Sequence, residues 1–221
     1  MTGVTKKLMS FGLAASACLI LSYFSYGYTV LELFPFEFKE ELQGWKEHKL
    51  KGSVEYWIDY DHLGGFVHAK SQNTCSALYR WIKIDLKNQP LLSWRWKALR
   101  FPQQQPQSRK DDFAARVYVI FPGISFGTSE FLEYIWDQAA PVDTVETHPQ
   151  ASNVRRIIVQ TGGADPLEWH YVKRNLCEDY TKAFGHKPKR KAGILAFMSD
   201  SNDTQDEAEA FFDEIKVEYI K

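Results

Sequence analysis

The sequence is short of cysteine, of net charge and of segments that read as helix. Only three cysteines occur in 221 residues, and none falls in a zinc-ligand spacing. It contains neither a P-loop nor a dinucleotide glycine motif, so the common phosphate-cradling classes are excluded. Basic and acidic residues nearly cancel, 27 against 28, for a formal charge of −1. A nucleic-acid partner needs a concentrated basic face, and this balance argues against one. The basic stretch Lys187, Lys189, Arg190 and Lys191 is a local exception, and beside Pro188 it reads as a solvated turn or as a contact to anionic lipid or polysaccharide.

What is present begins at the N-terminus. Lys6 and Lys7 precede an uncharged run from Leu8 to Leu31 with the apolar centre LAASACLILSYF. Two lysines, an apolar segment and then polar sequence is the layout of an export signal or a single membrane anchor. Ser25-Tyr26-Gly27 places small residues at the positions a signal peptidase reads, which makes 1–27 a removable signal and 28–221 one mature domain. Left uncut, residues 8–30 are long enough for membrane contact, with Glu32, Glu37 and Glu40 on the outer side. In both cases the body is expected in the periplasm or outside the cell. Cys18 falls in the export segment, leaving Cys75 and Cys177 as an even pair in an oxidising compartment. A bridge between them would close a loop of about 100 residues, worth about 4–5 kcal/mol; the alternative is two separate buried thiols.

From Ser53 onward the dominant period is two. SVEYWIDY puts Val54, Tyr56, Ile58 and Tyr60 on one face, and ALYRWIKID puts Leu78, Ile82 and Ile84 opposite Tyr79 and Trp81. LLSWRWKA, FAARVYVIF, VRRIIVQT, EWHYVK, AGILAFMS and FFDEIKVEYI follow, separated by Gly-, Pro- and Asp-rich turns. The persuasive helix is Leu176–Phe184, capped by Asn175 and stopped by Gly185, and a second short helix is expected over Phe38–Glu47. Many short strands with almost no helical crossovers predict an all-β, antiparallel β-sandwich or jelly roll with one or two short helices. FPQQQPQSRKDD, residues 101–112, reads as a long surface loop.

Chemistry-bearing patterns are few. Gly123-Ile124-Ser125-Phe126-Gly127 matches G-x-S-x-G, but without helices behind a parallel sheet it reads as a glycine-rich hairpin. Asp112 and Arg116 share a strand face and are expected to form a charge pair; Asp112 is also the carboxylate a glycan hydrolase would use with a second, unidentified acid. Asp200, Asn202 and Asp203 are hard oxygen ligands of the kind calcium prefers, so a structural calcium site is a candidate beside a solvated acidic turn. No other cofactor is implied. Of the seven tryptophans, Trp94 and Trp96 read as core, while Trp136 and Trp169 flank loops and are the candidate sugar platforms.

Taken together, DDFAARVYVIF, Trp136, the run from Val154 to Gly162, RNLCEDYTKAFG, AGILAFMSDSNDT and FFDEIKVEY resemble a secreted bacterial family known as domain of unknown function 3047. The layout is also similar to carbohydrate-binding jelly rolls of the galactose-binding type. The resemblance implies one polar cluster of Asp112, Arg116, Arg174, Asn175 and Asp179. Asp200-Ser201-Asn202-Asp203-Thr204-Gln205 departs from the family's Asp-x-Asp-Asn-Thr-Gly, and Asp213-Glu214-Ile215 from its Gly-Asp-Ile, which weakens any metal site carried over. The expected function is an exported, non-catalytic module binding a polysaccharide or another envelope component. A glycan hydrolase using a carboxylate pair and a membrane-held interaction scaffold are the alternatives.

Overall fold

The computed structural model describes residues 22–25, 28–104, 110–163, 168–189 and 191–220. The strands in chain order are β1 (Ser22–Ser25), β2 (Tyr28–Phe34), β3 (Lys46–Lys51), β4 (Glu55–Asp61), β5 (Gly64–Gln72), β6 (Cys75–Ile84) and β7 (Leu91–Arg100). They continue with β8 (Arg116–Phe121), β9 (Glu130–Asp137), β10 (Val145–His148), β11 (Ala151–Thr161), β12 (His170–Asn175), β13 (Ala192–Met198) and β14 (Glu207–Ile220). One sheet holds β1-β2-β14-β5-β4, with β7 pairing β14 and β12 pairing β7. The second runs β10-β11-β9-β8-β13-β6-β3. The predicted β-sandwich is therefore observed. Every pairing is antiparallel except β9 with β11, which run parallel, a departure from the all-antiparallel expectation.

The alternation read from the sequence decides which side chains meet between the sheets. Trp94 and Trp96 leave β7 on the face that meets Tyr134 and Trp136 of β9, at ring separations of 5.3 Å for Trp94–Tyr134 and 5.9 Å for Trp96–Trp136. Phe197 of β13 and Phe212 of β14 stack across the same gap at 5.0 Å. Val54, Ile58, Leu78 and Ile84 join this core on the predicted faces. Strand β14 is long enough to serve two partners: its first half pairs with β5, its second with β2, and a bulge at Asp213–Lys216 separates them.

Helix α1 (Leu176–Phe184) follows β12 directly and has the predicted bounds. The Asn175 side chain accepts from the N–H groups of Cys177 and Glu178, and Gly185 closes the helix at φ 75°. The expected helix over Phe38–Glu47 is replaced by one 3-10 turn, Lys39–Leu42, followed by β3. Edge pairing with β6 satisfies more backbone groups than a lone amphipathic turn would, so propensity yields to the sheet. The G-x-S-x-G segment is a hairpin between β8 and β9. A Cβ on Gly123 would stand 2.2 Å from Thr128 Oγ1, so glycine is needed there for close approach, not for a nucleophile.

The expected export segment lies outside the described residues apart from Ser22–Ser25, whose backbone pairs along β2. Among the described residues no helix is long and apolar enough to cross a membrane. Cys75 and Cys177 are both free, so the bridge weighed from the sequence is not formed. Cys75 Sγ lies 3.8 Å from Met198 Sδ on the outer side of the second sheet, whereas Cys177 sits in α1 and donates to the Leu86 carbonyl at 3.3 Å. Burial comes first in pushing the Cys75 thiol up to about 12, which leaves it unreactive. We expect Gly123→Ala to lower unfolding free energy by about 1–3 kcal/mol in urea titration, the usual cost of forcing a group into packed space; an unchanged midpoint would contradict the close-approach account.

Candidate functional site

The outer side of an antiparallel sheet in a sandwich is normally polar. That of the second sheet is mixed, with charged residues beside aromatic and aliphatic ones. One cross-strand row runs Lys46, Tyr79, Ala196, Tyr118, Glu133, Arg156, Glu146. Six spacings of about 4.8 Å make it about 29 Å long. The row beside it carries Trp81, Ile194, Ile120, Phe131 and Val154. Trp81 is 61% exposed, while Tyr79, Tyr118, Ile120 and Ile194 are half-buried. An aromatic and aliphatic surface therefore faces outward where the pleat would ordinarily place polar side chains.

The third row, Met198, Arg116, Ile135 and Ile158, is buried, because the segment leading into β8 folds back over it. A charge network holds that segment down. Arg116 grips Asp200 with two N–H groups, Nε to Oδ1 at 2.8 Å and Nη2 to Oδ2 at 2.5 Å. Its Nη1 reaches Glu133 Oε1 at 2.6 Å and Asp111 Oδ1 at 3.2 Å, and Nη2 also meets the Asp111 carbonyl. Arg156 bridges the same two acids, Nε to Glu133 Oε2 at 2.9 Å and Nη2 to Asp111 Oδ1 at 2.6 Å. His148 Nε2 lies 2.7 Å from Asp111 Oδ2 while its Nδ1 accepts the Gln150 N–H, so Nε2 carries the proton. Both guanidiniums stack on the Phe113 ring, at 4.6 Å for Arg116 and 5.1 Å for Arg156.

Electrostatics follow from burial first. Burial raises the carboxyls of Asp111 and Glu133, but Arg116 outweighs it at both, with Arg156 and, for Asp111, His148 adding to the effect, and both are held below the usual range. For Asp200 burial prevails over Arg116, and the carboxyl is pushed up to about 7. The Tyr118 hydroxyl, donating to Glu133 Oε1 at 3.0 Å, is raised well above its ordinary value by burial and by that carboxylate. Every acid in the network is engaged by a guanidinium, a ring N–H or a hydroxyl.

The residues singled out from the sequence separate into three places. Arg116 is at the centre of the network, but Asp112 is not its partner. Residues 111–115 are not yet strand, so the same-face argument fails there, and Asp111 takes that role. Asp112 is 1% exposed, and its oxygens accept from the N–H groups of Asp203 and Thr204 and from Thr204 Oγ1. It pins the 201–206 turn, and as a buried carboxylate already accepting from three donors it is not presented to a glycan. Arg174, Asn175 and Asp179 do come together, with Arg174 clasping Asp179 at 2.9 and 2.6 Å and Tyr134 donating to Asp179 at 3.0 Å. Tyr134 and Glu133 leave β9 in opposite directions, so this cluster lies across the sheet from Arg116 and the single cluster expected is two.

Neither platform candidate serves as one on this face. Trp136 is 1% exposed in the core, its Nε1 donating to the Gly162 carbonyl at 3.1 Å. Trp169 lies on the outer side of the first sheet, its ring already stacked by Arg95 at 4.6 Å and Lys97 at 5.0 Å. Asp200, Asn202 and Asp203 do not converge, because Arg116 and the Phe113 N–H occupy both Asp200 oxygens. Among the described residues no group of three or more His, Cys, Asp or Glu is arranged to hold a metal ion. The aromatic that sequence reasoning passed over is Trp81, although the ALYRWIKID alternation had placed it, with Tyr79, opposite the core face.

Two outcomes test the network. Arg116→Met leaves the buried Asp200 without its guanidinium, and the buried Glu133 and half-buried Asp111 with Arg156 alone, and should cost about 3–5 kcal/mol in urea unfolding. For pH, the unfolded Asp200 carboxyl titrates near its ordinary value of about 3.9, whereas the folded one holds its proton up to about 7. The folded state thus binds more protons between those values, and stability falls as pH rises through that window. Asp213, buried against Arg95, is pushed up to about 7 as well, by burial first, and acts in the same direction. The urea midpoint should therefore drop from pH 5 to pH 8, with a shallower drop in Asp213→Asn; a midpoint that rises over that range would contradict both assignments.

No curated protein matches the chain. Among solved structures it is similar to a family 11 carbohydrate-binding module from Clostridium thermocellum in complex with a mixed-linked tetrasaccharide, at 12% identity and a TM-score of 0.48, covering 87% of this chain and 96% of that one. A family 30 carbohydrate-binding module of a cellulosomal cellulase of the same organism gives 12% identity and a TM-score of 0.45 over 79% and 90%. The xyloglucanase domain of NopAA, an effector of Sinorhizobium fredii, gives 10% and 0.43 over 92% and 99%. Likenesses this distant carry no argument about ligand or activity. The sequence profile of the family described as protein of unknown function DUF3047 matches residues 43–216, well over half of the chain, and the chain belongs to that family.

Proposed function

We propose that this protein is an exported, non-catalytic β-sandwich that binds a polysaccharide or another envelope component on the outer face of its second sheet. The observation that supports the reading most is Trp81, an indole 61% exposed at the rim of an outward row of Ile194, Ile120 and Phe131. A flat indole offers a stacking surface to the apolar face of a pyranose ring, and its N–H gives a polar handle. Tyr79 and Tyr118 stand two strands apart in the next row, so their half-buried rings are spaced to lie under successive parts of an extended chain. Arg156, Glu133 and His148 close the row at its far side and set a polar end to the surface. The rigid network beneath lowers the ordering cost of binding, because the rings need not be fixed anew.

Export is supported by Lys6, Lys7 and the apolar run that follows them. A periplasmic or extracellular body would meet such chains directly. The hydrolase alternative loses its main residue, since Asp112 is spent on the 203–204 backbone. The test is retention on immobilised neutral polysaccharides combined with measurement of chain length. Wild type should be retained without shortening the chains, and Trp81→Ala should weaken retention at least tenfold while keeping the wild-type unfolding midpoint. Trp136→Ala should instead cost about 3–5 kcal/mol of stability. Shortened chains, or undiminished retention by Trp81→Ala, would overturn the reading.

A further inference from the structure

A groove of about 740 Å³ opens at the end of the sandwich where β6 ends and β13 begins. Its walls come from three separate segments: Asp85 to Lys87 and Gln89 after β6, the exposed side of α1, and Lys187, Pro188, Lys189 and Lys191 before β13. Lys87, Lys182, Lys187, Lys189 and Lys191 line it, against two carboxylates, Asp85 and Glu178. Leu86 and Pro188 supply apolar wall between them. Outside the groove Lys49 is paired with Glu47, Lys173 with Glu218 and Lys216 with Glu214. In the groove Lys191 stands 3.5 Å from Asp85 and Lys182 donates to the Asp143 carbonyl, while Lys187 and Lys189 have no carboxylate within 4 Å among the described residues.

Five ammonium groups gathered on one cavity repel one another. Two like charges about 8 Å apart in water repel by about 0.5 kcal/mol, and a cleft with low-dielectric walls raises that figure. A chain with a formal charge of −1 has no general excess of lysine to scatter, so the concentration is a local property of the groove. A ligand carrying several negative charges would relieve the repulsion, and the lysine stems would pack along its apolar parts.

We propose that this groove binds the phosphate or carboxylate groups of an anionic glycan. The identity of the carrier rests on the glycan reading above; the affinity for anions does not. The aromatic face would hold sugar rings, and the lysine groove would select chains that also carry charge.

The test uses the full chain with polygalacturonate, its fully methyl-esterified form, inorganic tripolyphosphate and phosphatidylglycerol vesicles as probes. Retention on polygalacturonate should exceed that on the neutral ester and fall at least tenfold in Lys187→Glu/Lys189→Glu, at exposed positions that leave the fold intact. It should also fall steeply between 50 and 500 mM salt, since exposed charges are screened within a few ångströms at the upper value. Tripolyphosphate should compete, and Trp81→Ala should not abolish that competition. Equal retention by the charge-reversed variant would overturn the proposal while leaving the aromatic-face reading intact. Lysine-dependent binding of tripolyphosphate without retention on any glycan would overturn the glycan assignment and the aromatic-face reading together. Vesicle binding in preference to polygalacturonate would move the site to a lipid surface and overturn the proposal.

Discussion

The Arg116 guanidinium is the point on which the outer half of the molecule depends. It satisfies acids from three separate stretches of chain: Asp111 before β8, Glu133 on β9 and Asp200 after β13. Burying so many charges is unfavourable in itself, and the arrangement persists because nearly every polar atom in it has a charged partner. Arg156 and the Phe113 ring complete the enclosure. Removing the centre would release the covering segment, the turn that carries Asp200 and the alignment of β8 with β9 at once. Arginine suits this position where lysine would not, since the several N–H donors of its planar fork can meet three carboxylates and a carbonyl at once.

That network also decides how the second sheet divides its outer face. The row containing Met198, Arg116, Ile135 and Ile158 is closed over, whereas in the two rows beside it Tyr79, Tyr118, Ile120 and Ile194 stay half-buried and Trp81 exposed, with Ala196, Glu133, Arg156 and Phe131 buried among them. The boundary between covered and open surface falls at Glu133, which faces Arg116 on one side and accepts from Tyr118 on the other. Buried network and half-buried aromatic row thus meet in one side chain. The opposite face of the same strands is devoted to the core, where Tyr134 and Trp136 pack against Trp94 and Trp96. Alternation along β9 therefore separates a charged, organising side from an aromatic, cohesive one over only a few residues.

The ends of the sandwich are treated differently from its faces. Helix α1 lies between the layers, with Tyr180 against Phe121 at 4.7 Å and Asp179 held by Arg174 and Tyr134. Its inner side closes the core, and its outer side contributes to the lysine-lined groove. A short helix set between two sheets gives a loop-rich end enough rigidity to hold a cavity open, which the bare hairpins of the other connections do not provide.

Local pattern determined most of the architecture. Period-two alternation specified Leu78, Ile82 and Ile84 against Tyr79 and Trp81, and Trp94 with Trp96 as core, because a strand must turn alternate side chains to opposite faces whatever its partners are. Asn175 and Gly185 specified the ends of α1, because capping is satisfied within a few residues. Partner choice was beyond that reach. The sequence offered Asp112 for Arg116, yet Asp111, Glu133 and Asp200 took the place, since the chain leaves strand geometry before Arg116 and long-range pairing then governs. Trp136 reads as flanking a loop, and only the stacking of one sheet on the other buried it in the core while Trp81 stayed exposed. The gathering of Lys87, Lys182 and Lys187 in one groove was likewise decided in three dimensions, because charge along a chain says nothing of which loops will share an end of the fold.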